Sequence, residues 1–177
     1  INVNLVSPKG KLAQDKLNVV DVWKEEVDVN YGVEDFEVGS YAVKSLEAAV
    51  DALNSGEIDV LVTAPINKNN IQSDTFKFPG HTDYLAQRIS GNSLMLMVSG
   101  DLRVGLLTDH VPVKEVSSKI DKTLIEKKVL TVIKTLKQDF QVQKPKVALL
   151  AINPHAGDNG VIGDEDTNLI APVIASL

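Results

Sequence analysis

The sequence of 177 residues contains no cysteine. A disulfide framework, a thiolate metal site and a thiol nucleophile are therefore excluded, and a reducing compartment is compatible with this composition. Aromatic residues are scarce, at 5% of the chain. No apolar run approaches the ~18 residues of a membrane-spanning helix. Lysine and arginine are scattered and the net charge is −6, which argues against a nucleic-acid-binding surface. We expect a cytoplasmic protein without nucleic-acid or membrane partners.

Length and apolar content predict one domain with a sizeable core, since 44% of the residues are hydrophobic. The sequence opens on a strand-like alternation at residues 1–6, with no initiating methionine. It closes on an apolar helical run at residues 170–177, with no helix stop signal. We therefore expect this sequence to be a fragment of a longer protein.

Hydrophobic periodicity predicts an α/β chain in which a mixed sheet lies between helical layers. Residues 1–38 are the least regular and are interpreted as a partial first domain or a linker, with a short strand or a loop at residues 19–23 and a loop at 32–39. Residues 39–177 are interpreted as the central domain. Ser40 is the expected N-cap of the first helix, and the segment Asn54-Ser55-Gly56 is its expected stop. The predicted helices are 41–53, 82–89, 113–120, 122–140 and 165–177, and the predicted strands are 59–65, 94–98, 102–107 and 146–152. The tight turn Ser99-Gly100-Asp101 between two of these strands is too short for a crossover, so an antiparallel pair is predicted there.

The three histidines lie in short polar segments between apolar runs. His110 and His155 each follow a predicted strand, and ligands in open α/β sheets bind at the carboxyl ends of strands. Neutral imidazole is the commonest side-chain metal ligand. The pattern therefore predicts a metal site formed by His110 and His155, with His81 as a third candidate. The alternative for His110 is a hydrogen bond to a nearby loop carbonyl, and the alternative for the His155 segment is ordinary turn chemistry in a flexible loop, in both cases without any metal.

The segment Gly80-His81-Thr82-Asp83 opens a predicted helix. Free backbone N–H groups and the helix dipole favour an anion there, so a phosphate or carboxylate would fit. The alternative is a capping motif, with Thr82 as the N-cap and His81 exposed. Lys68, at the end of the preceding strand, is a candidate to neutralise a substrate anion or an ordinary surface lysine.

Other sequence signals are absent or have a plain structural explanation. The chain carries no GxGxxG or Walker loop, so no standard dinucleotide or P-loop fingerprint is present. It has no Gly-x-Ser-x-Gly nucleophile turn. The acidic run Asp164-Glu165-Asp166 precedes the last predicted helix, and stabilisation of a helix N-terminus explains it without catalysis. The residues alone identify neither a catalytic group nor a cofactor-binding group.

Taken together, four segments resemble the 4-hydroxythreonine-4-phosphate dehydrogenase family of pyridoxal phosphate (vitamin B6) biosynthesis. The resemblance covers residues 39–177 in order and spacing, and residues 1–38 only loosely. The combination of the GHTD and NPHAG segments is more specific than either alone. The four segments are VTAPINK at 62–68, FPGHTDYLA at 78–86, LRV to TDHVPV within 102–113, and NPHAG at 153–157.

The resemblance implies a metal-assisted oxidoreductase. Its enzymes oxidise a phosphorylated hydroxy amino acid with NAD or NADP, and the oxidised product then loses CO₂. A divalent metal (zinc, magnesium or cobalt) is bound by the histidines that match His110 and His155. The residues that match His81 and Thr82 bind the substrate. The implied fold is the three-layer α/β/α architecture of isocitrate and isopropylmalate dehydrogenases, and the implied assembly is a homodimer whose partner subunit supplies a third metal-binding histidine.

The sequence departs from the family in extent. No histidine follows His155, and the family's downstream lysine, asparagine and arginine contacts to substrate have no counterpart. We therefore expect the 177 residues alone to be inactive. Two alternatives remain open at this point. One is a related dehydrogenase of another four-carbon phosphorylated hydroxy acid, such as an erythronate phosphate, and the other is a non-catalytic dimerisation or binding domain.

Overall fold

The computed structural model describes residues 2–177. The chain divides into two compact units, one ending at Gly91 and the other formed by Asn92–Leu177. The boundary predicted between residues 38 and 39 remains a prediction. Within the part of the chain that the structure describes, no helix combines the length and the apolar character needed to cross a membrane.

The first unit begins with two short parallel strands, β1 (Val3–Val6) and β2 (Leu17–Val20). The side chain of Asn18 holds the connection between them, because its amide binds both the N–H and the carbonyl of Ala13 at 2.9 Å. Asn4 also donates to the Asn18 side chain at 2.8 Å. The strand considered at 19–23 instead spans residues 17–20, and it pairs with β1.

Helix α1 (Phe36–Ser55) starts earlier than predicted. Asp35, not Ser40, is its N-cap, because the Asp35 carboxylate accepts the N–H groups of the first turn. The loop predicted at 32–39 is therefore wrong from residue 36 onward. The predicted stop is confirmed: Gly56 adopts a left-handed conformation (φ 75°) and its N–H caps the helix carbonyls.

Helix α2 (His81–Arg88) packs over the core of the first unit. Phe76, Phe78 and Tyr84 form an aromatic cluster with ring centroids 5.1–5.2 Å apart. Tyr84 is 3% exposed, and its hydroxyl has no hydrogen-bond partner among residues 2–177. Burial raises the pKa of the Tyr84 phenol. The buried core residues are Leu46, Val50, Ile71, Phe76 and Tyr84.

The second unit begins with the antiparallel pair β3 (Leu96–Ser99) and β4 (Leu102–Gly105). Ser99 pairs with Leu102, so Gly100 and Asp101 form a two-residue turn, with Gly100 at φ 55°. The prediction of an antiparallel pair is confirmed, because so short a connection cannot make a parallel crossover.

Helices make up most of the rest of the second unit. The predicted helix at 113–120 is divided into a 3₁₀ turn (Val113–Glu115) and the short α3 (Val116–Lys119). Helix α4 (Lys122–Gln138) begins where predicted, with Asp121 as its N-cap. The last helix is a π turn (Asp166–Ile170) followed by α5 (Ala171–Ser176). The core of this unit is formed by Ile125, Ile170 and Val173.

The predicted strands at 59–65 and 146–152 are wrong, because neither segment pairs with a strand in the described residues. Residues 2–177 form two separate two-stranded ladders, one parallel and one antiparallel, so the predicted mixed sheet is not formed within them. Val60, Val62 and Leu150 are 73%, 88% and 81% exposed, whereas Leu61 and Leu149 pack against the cores. Apolar runs signal a tendency toward burial, but a strand forms only where a partner supplies backbone hydrogen bonds.

Candidate functional site

The first predicted site residues lie at the N-terminus of α2. His81 is the first helical residue and Thr82 the second, and both side chains are half-buried. The N-cap is Gly80, with extended backbone and no side-chain cap, so the alternative that Thr82 caps the helix is wrong. The first N–H groups of a helix have no intrahelical acceptor. This end of α2 therefore presents backbone donors, a hydroxyl and an imidazole together.

Two charged side chains accompany this helix end. The Cε atom of Lys68 lies 3.8 Å from the position that a Cβ on Gly80 would occupy, so the lysine side chain runs past the helix start. Asp83, in the first turn, has a buried Oδ2 without a hydrogen-bond partner in residues 2–177. The helix dipole stabilises such an acid. A bound anion would therefore need the Lys68 charge to offset the negative charge of Asp83.

His110 lies in the loop after β4, two residues before Pro112. Its backbone is left-handed, with φ 52°, and the residue is exposed. This conformation is uncommon for a residue other than glycine, although histidine is among the residues that adopt it more often. Within the described chain its imidazole makes no hydrogen bond or ion pair, so the loop-carbonyl alternative has no support at His110.

His155 lies in the 3₁₀ segment Pro154–Gly160, which contains a run of left-handed residues. The φ angle of His155 is 54°, and Ala156, Gly157, Asp158 and Asn159 also have positive φ. Strained backbone of this kind clusters at functional sites, where the surrounding structure holds it in place. His155 is exposed, and its ring has no hydrogen-bond partner in residues 2–177. Both predicted metal ligands thus project from strained loops with free ring nitrogens.

The imidazole nitrogens of His110 and His155 are suitable ligands for a divalent metal, but two ligands are too few to complete a site. Neutral imidazole is a common ligand of zinc and cobalt. Among residues 2–177, however, no three histidine or acidic side chains form a group that could hold a metal ion. A catalytic zinc site takes three protein ligands. Any metal held by His110 and His155 therefore needs a ligand from outside the described residues. The prediction that His81 shares their site remains a prediction, because His81 belongs to the first unit.

The acidic run before the last helix has contacts that sequence analysis missed. Asp166 is 8% exposed, and its carboxylate accepts the backbone N–H groups of Ile152 and Asn153. The side-chain amide of Asn153 donates to Glu165. These acids bind the loop that carries His155 rather than the free end of their own helix. The signal available in the sequence was three acids 11 to 13 residues after Asn153, which does not specify that contact.

Comparisons with known proteins complete this description. The chain matches, over residues 1–177, the family described as pyridoxal phosphate biosynthetic protein PdxA. The 4-hydroxythreonine-4-phosphate dehydrogenase of Bacteroides thetaiotaomicron is 42% identical over 99% of this chain and 49% of that protein. The enzyme of the same name from a Sulfurihydrogenibium species is 36% identical over 100% of this chain and 55% of that protein.

Among solved structures, 4-hydroxythreonine-4-phosphate dehydrogenase from Klebsiella pneumoniae is similar to this chain with a TM-score of 0.81. The two sequences are 24% identical, and the match covers 99% of this chain and 54% of that one. This likeness establishes the α/β fold class. The chain spans about half the length of the curated relatives that it matches.

Proposed function

The chain belongs to the pyridoxal phosphate biosynthetic protein PdxA family, and on that premise we propose that the native protein is a 4-hydroxythreonine-4-phosphate dehydrogenase. The observation that carries the proposal is the 42% identity, over 99% of this chain, to a relative of that name. The proposed reaction is oxidation of 4-phosphooxy-L-threonine with NAD or NADP, followed by decarboxylation, in vitamin B6 biosynthesis. The proposed location is the cytoplasm.

His110 and His155 would hold the divalent metal (zinc, magnesium or cobalt). When bound, a divalent cation acts as a Lewis acid on the substrate oxygens. The two residues would contribute neutral imidazole nitrogens from exposed loops in which both have left-handed backbone. Zinc and cobalt suit imidazole better than magnesium does. The missing donor would be a histidine of the partner subunit in a homodimer, as the resemblance implies, and the 177 residues alone would then be inactive.

The N-terminus of α2 would bind the phosphorylated substrate. Its free N–H groups and the dipole attract an anion. The Thr82 hydroxyl and the His81 ring would add side-chain hydrogen bonds, and Lys68 beside Gly80 would add positive charge. These residues bind and orient the substrate in the proposal. The proposal assigns no residue of this chain as the proton-transferring base and none as a cofactor ligand.

The three-layer arrangement of isocitrate and isopropylmalate dehydrogenases is part of this proposal. A fold of that kind places several loops at one sheet edge. Loops carrying His110 and His155 would meet there when the remaining strands of the whole enzyme are present.

Turnover of the native protein tests the proposal. Reduced-nicotinamide formation would be followed with 4-phosphooxy-L-threonine, with and without Zn²⁺, Mg²⁺ or Co²⁺. We expect metal-dependent turnover that His110→Ala and His155→Ala each abolish. Faster turnover of an erythronate phosphate would favour the related dehydrogenase instead. Absence of metal binding, with turnover unaffected by either substitution, would favour a non-catalytic role for this part of the protein.

A further inference from the structure

We propose that Asp166 is the positioning residue for His155, and that it sets metal affinity without touching the metal. This inference rests on the proposed role of His155 as a metal ligand. The sequence pattern around Asp166 indicated only stabilisation of a helix N-terminus.

The geometry of the Asp166 carboxylate is specific to the His155 loop. Oδ1 accepts the N–H of Ile152 at 2.9 Å, and Oδ2 accepts the N–H of Asn153 at 3.0 Å. One side chain therefore fixes two successive peptide groups, and the second lies two residues before His155. Backbone N–H groups bound by a carboxylate make hydrogen bonds stronger than neutral pairs do. Asp166 is the only buried acidic or basic residue among residues 2–177.

A second hydrogen bond joins the same loop to the residue before Asp166. The Asn153 side-chain amide donates to the Glu165 carboxylate, and both lie against Gly163. A Cβ on Gly163 would collide with the Glu165 carboxylate and would lie 2.6 Å from the Asn153 amide nitrogen. The N–H of Ile162 donates to the carbonyl of Gly157 at 3.0 Å. The segment from 153 to 165 is thus folded back on itself.

The enclosed segment needs such restraint. Residues 155–159 all have positive φ, and four of the five are not glycine. A run of this kind persists only where the surroundings over-determine it. Asp166 opens the π turn whose far end, Ile170, is buried in the core with Val173 of α5. The core of the second unit is therefore linked through Asp166 to the loop that presents His155.

Helix capping does not explain Asp166. The residue at the N-cap position of the π turn is Glu165, and no side chain caps that turn. Both Asp166 oxygens instead bind peptide groups 13 and 14 residues earlier in the chain. A residue that only stabilised its helix would leave the position of His155 unchanged when substituted.

Cobalt binding to the native protein tests the inference, with Co²⁺ alone as the probe and its visible absorption as the readout. Asp166→Asn keeps the shape but replaces one acceptor with a donor facing a peptide N–H. We expect Co²⁺ affinity to fall about tenfold, the lower end of what loss of an outer partner of a ligand costs. The absorption spectrum should change as well, because the backbone that carries the His155 ring loses its anchor.

The matched control is Asp121→Asn in the same unit. Asp121 accepts the N–H of Leu124 at 2.7 Å as the N-cap of α4, so this variant also loses an aspartate that binds backbone. We expect lower resistance to urea with unchanged Co²⁺ affinity. Equal loss of affinity in both variants would overturn the proposal, since the effect would then follow general stability.

A second variant covers the case in which Asp166→Asn does not fold. Glu165 is exposed, so Glu165→Ala should fold, and we expect a smaller loss of Co²⁺ affinity in the same direction. Unchanged affinity in the Asp166 and Glu165 variants, with reduced affinity in His155→Ala, would overturn this inference and leave the proposed function standing. Unchanged affinity in His155→Ala would overturn both.

Discussion

The Cε atom of Lys68 lies 3.8 Å from the position that a Cβ on Gly80 would occupy, at the start of α2. Residues 67–70 form the turn that brings this lysine there, because the Asn67 side chain accepts the N–H groups of Asn69 and Asn70. Lys68 is exposed, so both interpretations of this lysine, a surface residue and a partner of a substrate anion, stay open. Under the proposed function, its charge would lie near an anion bound at the helix end.

Substrate affinity should depend on this helix end. We expect His81→Ala, Thr82→Ala and Lys68→Ala each to raise KM for the phosphorylated substrate about tenfold, because a hydrogen bond to a charged group contributes about 1.5–3 kcal/mol. The value of kcat should change much less, since these contacts form with the bound substrate as well as in the transition state. Steady-state kinetics of the native protein would measure both.

Lys44→Ala is the control for Lys68→Ala. Lys44 also belongs to the first unit, and its ammonium group lies 4.3 Å from the centre of the Tyr41 ring. The variant removes the same charge from a different surface. A KM that rises equally in both lysine variants would point to general electrostatics and against a phosphate site at α2.

Metal affinity should fall in acid. Histidine binds a cation through its neutral imidazole, and metal binding releases any proton on the ring. We therefore expect Co²⁺ affinity to decline as the pH is lowered from about 8 to about 5, the range in which histidine side chains generally gain a proton. Calorimetric titration at several pH values would measure this. A flat profile would contradict ligation by His110 and His155.

Tyr84 gives a prediction on stability at high pH. Burial disfavours the phenolate and raises the Tyr84 pKa in the folded state. Tyr84 then ionises at a lower pH in the unfolded chain than in the folded protein, so the native state loses stability as the pH rises above about 10. Tyr84→Phe should remove that part of the loss. Near neutral pH it should change the free energy of unfolding by no more than about 1 kcal/mol, because the hydroxyl has no partner to lose.

Urea unfolding at pH values around 8 and 11 would test the Tyr84 prediction. Tyr31→Phe is the control, because Tyr31 is 95% exposed and its ionisation should not depend on folding. If both variants retain the full alkaline loss, burial of Tyr84 is not its cause. A destabilisation of several kcal/mol at neutral pH would mean that the Tyr84 hydroxyl has a hydrogen-bond partner after all.

Substitution of Gly56 tests how the left-handed conformation at the end of α1 affects stability. Its φ of 75° lies in the left-handed region, and nothing lies within 4 Å of a Cβ placed there. Gly56→Ala should therefore destabilise the protein by about 1 kcal/mol through backbone strain alone. Gly56→Asn should cost less, because asparagine adopts this conformation more readily. Thermal unfolding would rank the three proteins, and equal stability of all three would contradict the strain argument.

Local chemistry made some elements predictable. The stop at Gly56, the start of α4 after Asp121 and the tight turn at Gly100 were all predicted correctly, because each depends on residues within one turn of chain. The N-cap of α1 was misplaced, since both Asp35 and Ser40 are acceptable caps and the sequence does not rank them.

The amino-acid sequence by itself determined the α/β class, the three histidine segments and, through their order and spacing, the family. These follow from local periodicity and from residues that chemistry restricts to few types. Tertiary structure alone decided that Asp166 binds the His155 loop and that Lys68 lies beside Gly80. Such contacts join residues 12 or more positions apart, and their energy depends on how the intervening chain folds, which no local pattern encodes. The unpaired apolar segments at 59–65 and 146–152 make the same point, because the identity of a strand's partner is a property of the assembled sheet.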